Sequence, residues 1–359
     1  MSSVAEKLAP EAIKKLIPYQ SARRIGGEGR VWLNANELES PIHYGDHASE
    51  YHRYPDFLPQ EVALAYQAYS QVTSPVLAVR GADEAIDLLI RTFCQPGRDN
   101  IVVCTPTYAM YEFCADALAI ATIKVPLIGD AFSLDCQGVI NAAQNANLVF
   151  LCSPNNPTGN LLDRDDIIQV LDATKHNTLV VVDEAYIEFE FQSSVASLIG
   201  EYPNLVVIRT LSKAFGLASV RCGFIIADSS VMDFVMKLIP PYPMPDSSSQ
   251  VVLEALSQQG IKKMRSATES LIQTRQWFIE QVSMMPFVHN VYFSATNFVL
   301  IHTHAETNLF EYLLSQGIVT RNQQHEPVLR DCVRITIGSL QSMQEVVDVL
   351  NQYTKTDDQ

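Results

Sequence analysis

Leu205-Val206-Val207-Ile208-Arg209-Thr210-Leu211-Ser212-Lys213-Ala214-Phe215-Gly216 is a β-branched run that breaks into a short polar turn. The run reads as a buried strand, so Lys213 falls at a strand end, where open α/β sheets place their ligands. A second cation follows in Arg221-Cys222-Gly223-Phe224, which sets an amine beside a candidate anion site. A lysine so placed suits Schiff-base chemistry, with Ser212 and Arg221 available to hold a phosphate. A solvated lysine after a strand is the ordinary alternative for an isolated Ser-Lys pair. Two upstream segments weigh against it.

The first, Leu148-Val149-Phe150-Leu151-Cys152-Ser153-Pro154-Asn155-Asn156-Pro157-Thr158-Gly159, is an apolar strand entering a turn rich in Asn, Pro and Gly. The second, Leu179-Val180-Val181-Val182-Asp183-Glu184-Ala185-Tyr186, is a β-branched strand ending in a carboxylate. Asn156, Asp183 and Lys213 are 27 and 30 residues apart, each about one strand plus one crossover helix of a parallel sheet. Three strand ends therefore converge.

Outward from these, Pro75 to Val79, Ile101 to Cys104, Ala121 to Pro126 and Cys222 to Ala227 read as strands. Glu84 to Cys94 reads as a helix with apolar residues at Ala85, Ile86, Leu88, Leu89 and Phe93, stopped by Gln95-Pro96-Gly97, and another helix starts near Tyr108. The fold class is α/β: a mostly parallel seven-stranded sheet between helices. Ile239-Pro240-Pro241-Tyr242-Pro243-Met244-Pro245 cannot be helix interior and marks a boundary. A long amphipathic helix from Lys262 to about Gln281 follows, then strands near Val291, Asn297 to His302, Gly317 to Thr320 and Cys332 to Ile337, forming a smaller α+β domain. The domains expected are an arm over 1–45 that packs with the small domain or a partner subunit, a large domain over 46–245 and a small one over 246–359.

With 359 residues the chain is long enough for two cores that need no covalent staples. It has no apolar run near the roughly 18 residues of a membrane span, and Met1-Ser2-Ser3-Val4-Ala5-Glu6-Lys7 does not begin a signal peptide. A cytoplasmic location is the expectation. Seven cysteines without a paired spacing are read as reduced thiols. His302 and His304 form a His-x-His pair without an obvious third ligand, so no metal is expected. A net charge of −15 opposes binding to nucleic acid or anionic membrane, and anionic substrates must meet locally placed arginines.

The motifs resemble the fold-type I aminotransferases that use pyridoxal 5′-phosphate, and within them the histidinol-phosphate aminotransferases. The resemblance runs from Pro18-Tyr19-Gln20-Ser21-Ala22-Arg23-Arg24 and Trp32-Leu33-Asn34-Ala35-Asn36-Glu37 to Val333-Arg334-Ile335-Thr336-Ile337-Gly338. It implies that Lys213 bonds the cofactor and then moves the proton in catalysis, that Asp183 pairs with the pyridine nitrogen, and that Tyr186 and Asn156 hold the phenolic oxygen. A turn role suits Asn155 and Asn156 equally, so choosing Asn156 rests on the resemblance. Tyr108 would stack on the ring, with Tyr111 a core residue. Ala82 and Asp83 would hold the phosphate through main-chain N–H groups at a helix start, joined by Ser212, Arg221 and Tyr54 from the partner of a homodimer. The Asp83 side chain is assigned to capping.

Arg334 and Arg321 would grip the substrate's distal anion, with Tyr19 closing over them. The implied reaction moves the amino group of L-glutamate to imidazole acetol phosphate, giving L-histidinol phosphate and 2-oxoglutarate. An aromatic-amino-acid aminotransferase or a phosphothreonine decarboxylase would keep nearly every cofactor residue. A nucleotide-triphosphate hydrolase, suggested by the acidic end of Val180 to Glu184, lacks its glycine-rich lysine loop here. One departure from the pattern is Ser219 where glycine is usual; if that glycine serves a left-handed backbone, serine costs local stability. The run Ser247-Ser248-Ser249 is also atypical.

Overall fold

The computed structural model describes residues 2–18, 35–38, 40–42 and 51–353. Seven strands, β1 (Val76–Val79), β2 (Asn100–Thr105), β3 (Ala121–Pro126), β4 (Leu148–Cys152), β5 (Leu179–Asp183), β6 (Leu205–Thr210) and β7 (Gly223–Ala227), form one sheet in the order β1-β7-β6-β5-β4-β2-β3. Neighbours pair in parallel except at β7, which runs antiparallel to both β1 and β6. The strands read as continuous apolar runs because both faces are covered. Val180, Val182 and Val207 pack on one side with Tyr66, Ile167 and Val170, while Val181 and Ile208 pack on the other with Ile86, Leu89, Tyr111 and Val235.

Residues at the carboxyl ends of β1, β2, β4, β5 and β6 therefore meet along one edge of the sheet. The reversed β7 brings its leading residues, Arg221 to Gly223, to that same edge. The helix Ala82–Phe93 starts there and ends at Gln95-Pro96-Gly97 as expected. Helices at Cys136–Ala143 and Arg164–Thr174 complete the crossovers, opened by side-chain caps from Asp135 and Asp163.

After Pro245, the three serines lie in the first turns of a helix, Asp246–Ala255, whose Val252 joins the core beside Phe224. The long helix spans Gln258–Val282 and covers a second, antiparallel sheet of β8 (Val288–Val291), β9 (Phe298–Thr303), β10 (Arg321–Asn322) and β11 (Cys332–Thr336) in the order β10-β11-β9-β8. Phe278 and Val282 meet Val299, Ile301, Val333 and Ile335 in its core, with Val346 and Leu350 of the helix Leu340–Asn351. The strand expected at Gly317 to Thr320 lies later, at Arg321–Asn322. Gly317 is left-handed at φ 79° and Ile318 N donates back to Leu313 O, so this stretch closes the preceding helix instead of joining the sheet.

The short helices Val4–Leu8 and Glu11–Lys15 pack against the helix Ser229–Leu238 of the large sheet, where Lys237 Nζ donates to the carbonyls of Ile13 and Lys14. These residues of the arm lie on the large unit, not on the second sheet.

Candidate active site

A cleft of about 130 Å³ lies along the shared strand edge and is lined by Ala82, Asp83, Tyr108, Asn156, Asp183, Tyr186, Ser212, Lys213 and Arg221. Nine of the residues singled out from sequence are thus gathered in one place. Arg334 sits beside them, its Nη1 donating to Asn156 Oδ1. Arg321 faces Arg334 in the β10–β11 pairing, so both guanidiniums share one face. Tyr54 does not line this cleft; its ring is half exposed and stacks on Tyr242 at 4.5 Å. Tyr19 lies outside the described residues.

Asp183 ends β5 and is 2% exposed. Burial raises its carboxyl from 3.8 to about 6, against the donors Tyr111 and Ala185 N that stabilise the anion. Tyr111 Oη donates to Oδ2 at 2.7 Å and Ala185 N to Oδ1 at 3.0 Å. Tyr111 is buried, as expected for a core residue, but it also holds the site's carboxylate. Its ring stacks on Phe150 at 4.9 Å and stands edge-on to Tyr108 at 5.8 Å. Tyr108 precedes the helix Met110–Ala117 that carries Tyr111, so no local spacing marks the pair.

Lys213 hangs in the turn after β6, its amine 5.4 Å from the centre of the Tyr186 ring. Burial lowers its proton affinity first, then the nearby Arg334, with Asp183 opposing. Behind these strand ends, Glu184 turns to the opposite face and accepts from Arg209 Nε at 2.9 Å and Val195 N at 2.7 Å. Both charges of that pair are 1% exposed. The bridge ties β5 to β6, fixing the two strands that carry Asp183 and Lys213.

Asn155 and Asn156 separate cleanly. Asn155 is buried, accepts from Thr107 Oγ1 at 2.9 Å and donates to Pro106 O and Thr158 Oγ1, so it fastens the turn, whereas Asn156 faces the cleft.

The helix start at Ala82 presents N–H groups that have no partner within the helix. Gly81 precedes it at φ 87°, and a Cβ there would come within 2.7 Å of Arg221 Nη2. Gly223 is tighter still: its added Cβ would lie 2.6 Å from Gly81 C. Two glycines thus let β7, Arg221 and the helix start crowd around one point. The Asp83 side chain does not cap the helix, contrary to the assignment from sequence. Its position in the first turn points it over the cleft, where Oδ1 accepts from Tyr108 Oη at 3.0 Å and Oδ2 from Arg221 Nη2 at 3.2 Å. Glu84 instead turns back to the N–H of Arg80 at 2.6 Å.

Ser212 Oγ accepts from Thr210 Oγ1 at 2.9 Å. The left-handed residues of this loop are Gly216, at φ 66°, and Arg221, at φ 54°, not Ser219, which is exposed in the short turn of helix Ala218–Val220. The expected cost of serine at 219 through a left-handed backbone therefore does not arise. His302 and His304 lie with His289 on the second sheet, and among the described residues no group of three or more acidic, His or Cys side chains is placed to hold a metal. No helix among the described residues is long and apolar enough to cross a membrane.

Residues 31–350 match the family described as aminotransferase class I and II. The histidinol-phosphate aminotransferase of Salmonella arizonae is 43% identical over 349 residues, covering 97% of each chain. Among solved structures, the histidinol-phosphate aminotransferase from Clostridium acetobutylicum matches with a TM-score of 0.78 at 23% identity, over 84% of this chain and 90% of that one. The enzyme of the same name from Sinorhizobium meliloti, in complex with pyridoxal-5′-phosphate, matches with a TM-score of 0.74 at 23% identity, over 85% and 84%. The two structures speak for the fold, a mixed sheet between helices with a second, smaller unit. Family model and sequence identity together place the chain in the class I and II aminotransferase family.

Proposed function

We infer that the chain is a histidinol-phosphate aminotransferase, transferring the amino group of L-glutamate to imidazole acetol phosphate to give L-histidinol phosphate and 2-oxoglutarate, with pyridoxal 5′-phosphate as cofactor. The observation that carries this reading is the single cleft in which a lysine amine, a buried carboxylate, a phenol, an amide and a helix start converge. The near full-length relatives of that name supply the substrate class.

The residues fit the cofactor. Asp183 is shifted up and Lys213 and Arg334 down, each toward its neutral form and each chiefly by burial. A ligand bearing a cationic ring nitrogen, an electrophilic carbon and anionic groups would compensate the first two, and a substrate anion the third. When bound, the cofactor supplies the electron sink that lets a substrate Cα–H bond break.

The chain's own residues do the rest. Asp183 would hold the ring nitrogen protonated. Tyr186 Oη and the Asn156 amide would donate to the phenolic oxygen, and Tyr108 would cover the ring face. The N–H groups of Ala82 and Asp83, Ser212 Oγ and Arg221 would hold the phosphate. Arg221 forms an ion pair with Asp83, its Nη1 also donating to Ala218 O at 3.1 Å, and both side chains of the pair are about half exposed (48% and 42%), so the pair is weak and exchanges readily for a dianion. Lys213 Nζ would carry the proton from the substrate Cα to the cofactor carbon, a task suited to an amine whose affinity burial has lowered. Arg334 and Arg321 would receive the distal carboxylate or phosphate, with Tyr19 closing the pocket.

The reading includes a homodimer in which Tyr54 reaches the partner's phosphate, supported by the exposure of its ring away from its own cleft. The reading keeps a division near residue 245, with the helices Val4–Leu8 and Glu11–Lys15 of the arm packed on the large unit. A cytoplasmic setting is supported by seven unpaired cysteines, six of them buried. The test is a panel of amino donors and acceptors on purified protein, compared by kcat/KM. Preference for a phosphate-free aromatic amino acid over histidinol phosphate would leave the family and overturn the substrate.

A further inference from the structure

We propose that Phe298 is a positioning and affinity-setting residue for the substrate anion: its ring face is the platform on which Arg334 is held ready. The inference rests on the reading of Arg334 as the anion ligand. In the β9–β11 pairing Arg334 faces Leu300 and Thr336 faces Phe298, so Arg334 and Phe298 are diagonal neighbours on one face of the sheet. The guanidinium leans along that diagonal until its carbon lies 5.1 Å from the centre of the Phe298 ring, inside the range of a cation–π contact.

Arg334 needs such a platform. Its partner across the other edge of β11 is Arg321, and like charges at facing positions repel. Burial first, and less strongly Arg321, disfavour its charged state, with Tyr186 opposing. Asn156 Oδ1 takes one Nη1 hydrogen, which fixes one end of the fork. The ring supports the face and leaves the remaining donors to point at a ligand. The platform itself is rigid: Phe298 is 2% exposed, its carbonyl accepts from Ser294 Oγ at 2.6 Å, and its ring stands edge-on to Tyr186 at 5.4 Å. An arginine already desolvated and oriented gives up less freedom when it binds a carboxylate or phosphate.

The test replaces Phe298 with mono-, di- and trifluorophenylalanine, which keep the ring's shape while draining its negative face, and in a separate variant makes Phe298→Leu. The readout is the Kd of holoenzyme for glutarate, which carries the two carboxylates of glutamate without its amino group. Affinity should weaken stepwise with fluorine, by about two- to tenfold at the trifluoro ring, and Phe298→Leu should match or exceed that loss. The KM for glutamate should rise with it while kcat and the cofactor's absorbance stay put, the pattern of lost uniform binding. Arg334→Lys is the reference arm. Should it weaken glutarate while the fluorine series stays flat, the platform is wrong and the anion role of Arg334 stands; should both stay flat, both are wrong.

Discussion

Replacing Asp183 with asparagine should make the cofactor-free protein more stable at neutral pH, and the gain should depend on pH. The carboxyl is 2% exposed, and burial carries it from 3.8 to about 6. Between those values the folded chain binds more protons than the unfolded one, so stability falls as pH rises through the window and the penalty is complete above it. Carried that far, the carboxylate costs the folded state about 3 kcal/mol at pH 7. Asparagine keeps the acceptor for Ala185 N and can turn its amide toward Tyr111 Oη, so it removes the charge with few other changes. Denaturant unfolding of both cofactor-free proteins from pH 4 to 7.5 should show the variant pulling ahead between about pH 4 and 6 and holding a constant lead above. With cofactor the order should invert, because the charged carboxylate then has a cationic partner and mass action favours the tighter binder. A stability gap that is flat across that pH range would refute the claim that Asp183 is a desolvated charge awaiting a partner.

Gly223→Ala should loosen the anion site. Opening the 2.6 Å contact with Gly81 C to an ordinary 3.4 Å needs about 0.8 Å of backbone movement, so cofactor affinity should fall at least tenfold and stability by about 1 to 3 kcal/mol; an unchanged cofactor Kd contradicts the close approach. Lys213→Ala should abolish the pH-dependent absorbance of lysine-bound cofactor and cut turnover by at least about 10² to 10⁴, and near-normal transamination would end the lysine assignment. Mixing Tyr54→Phe with Lys213→Ala chains should give hybrid dimers with one site carrying both native residues. A rate on mixing no higher than the parents' average speaks against Tyr54 crossing to the partner.

The strands were legible because sheets covered on both faces write themselves as near-continuous apolar runs, and Leu148–Cys152, Leu179–Asp183 and Leu205–Thr210 do so. Residues at the ends of those runs or up to four places past them then had to share an edge, which gathered Asn156, Asp183, Ser212 and Lys213 from the sequence alone. Helices at Cys136–Ala143 and Arg164–Thr174 carry weaker marks: a glycine and two alanines in one, two adjacent aspartates in the other. Illegible were the partners across the fold. Tyr111 meets Asp183 over 72 residues of chain and Arg334 meets Asn156 over 178, and no local pattern encodes which tyrosine's hydroxyl finds which carboxylate. Asp83 misled for a related reason. An aspartate in a first helical turn normally serves the helix, but here Tyr108 and Arg221 arrive from other elements to claim it.

The anion site depends on topology more than on any motif. Arg221 precedes β7 and Gly223 opens it, and only because β7 runs against β1 and β6 does its start lie at the edge where those strands finish. In a uniformly parallel sheet the same five-residue strand would carry Arg221 about 16 Å away, to the far edge. The reversal also explains which glycines matter. Gly223 must let the backbone of Gly81 and Ala82 approach, and Gly81 must leave room for the Arg221 fork; Ser219, exposed one turn earlier, touches neither requirement. A substitution at 219 should therefore leave cofactor affinity within about twofold, since surface changes away from such contacts shift free energies by no more than about 0.5 kcal/mol. Ser219→Gly measured beside Gly223→Ala separates the two positions: equal losses of affinity would mean that the whole loop, and not the β7 crossing, sets the phosphate site.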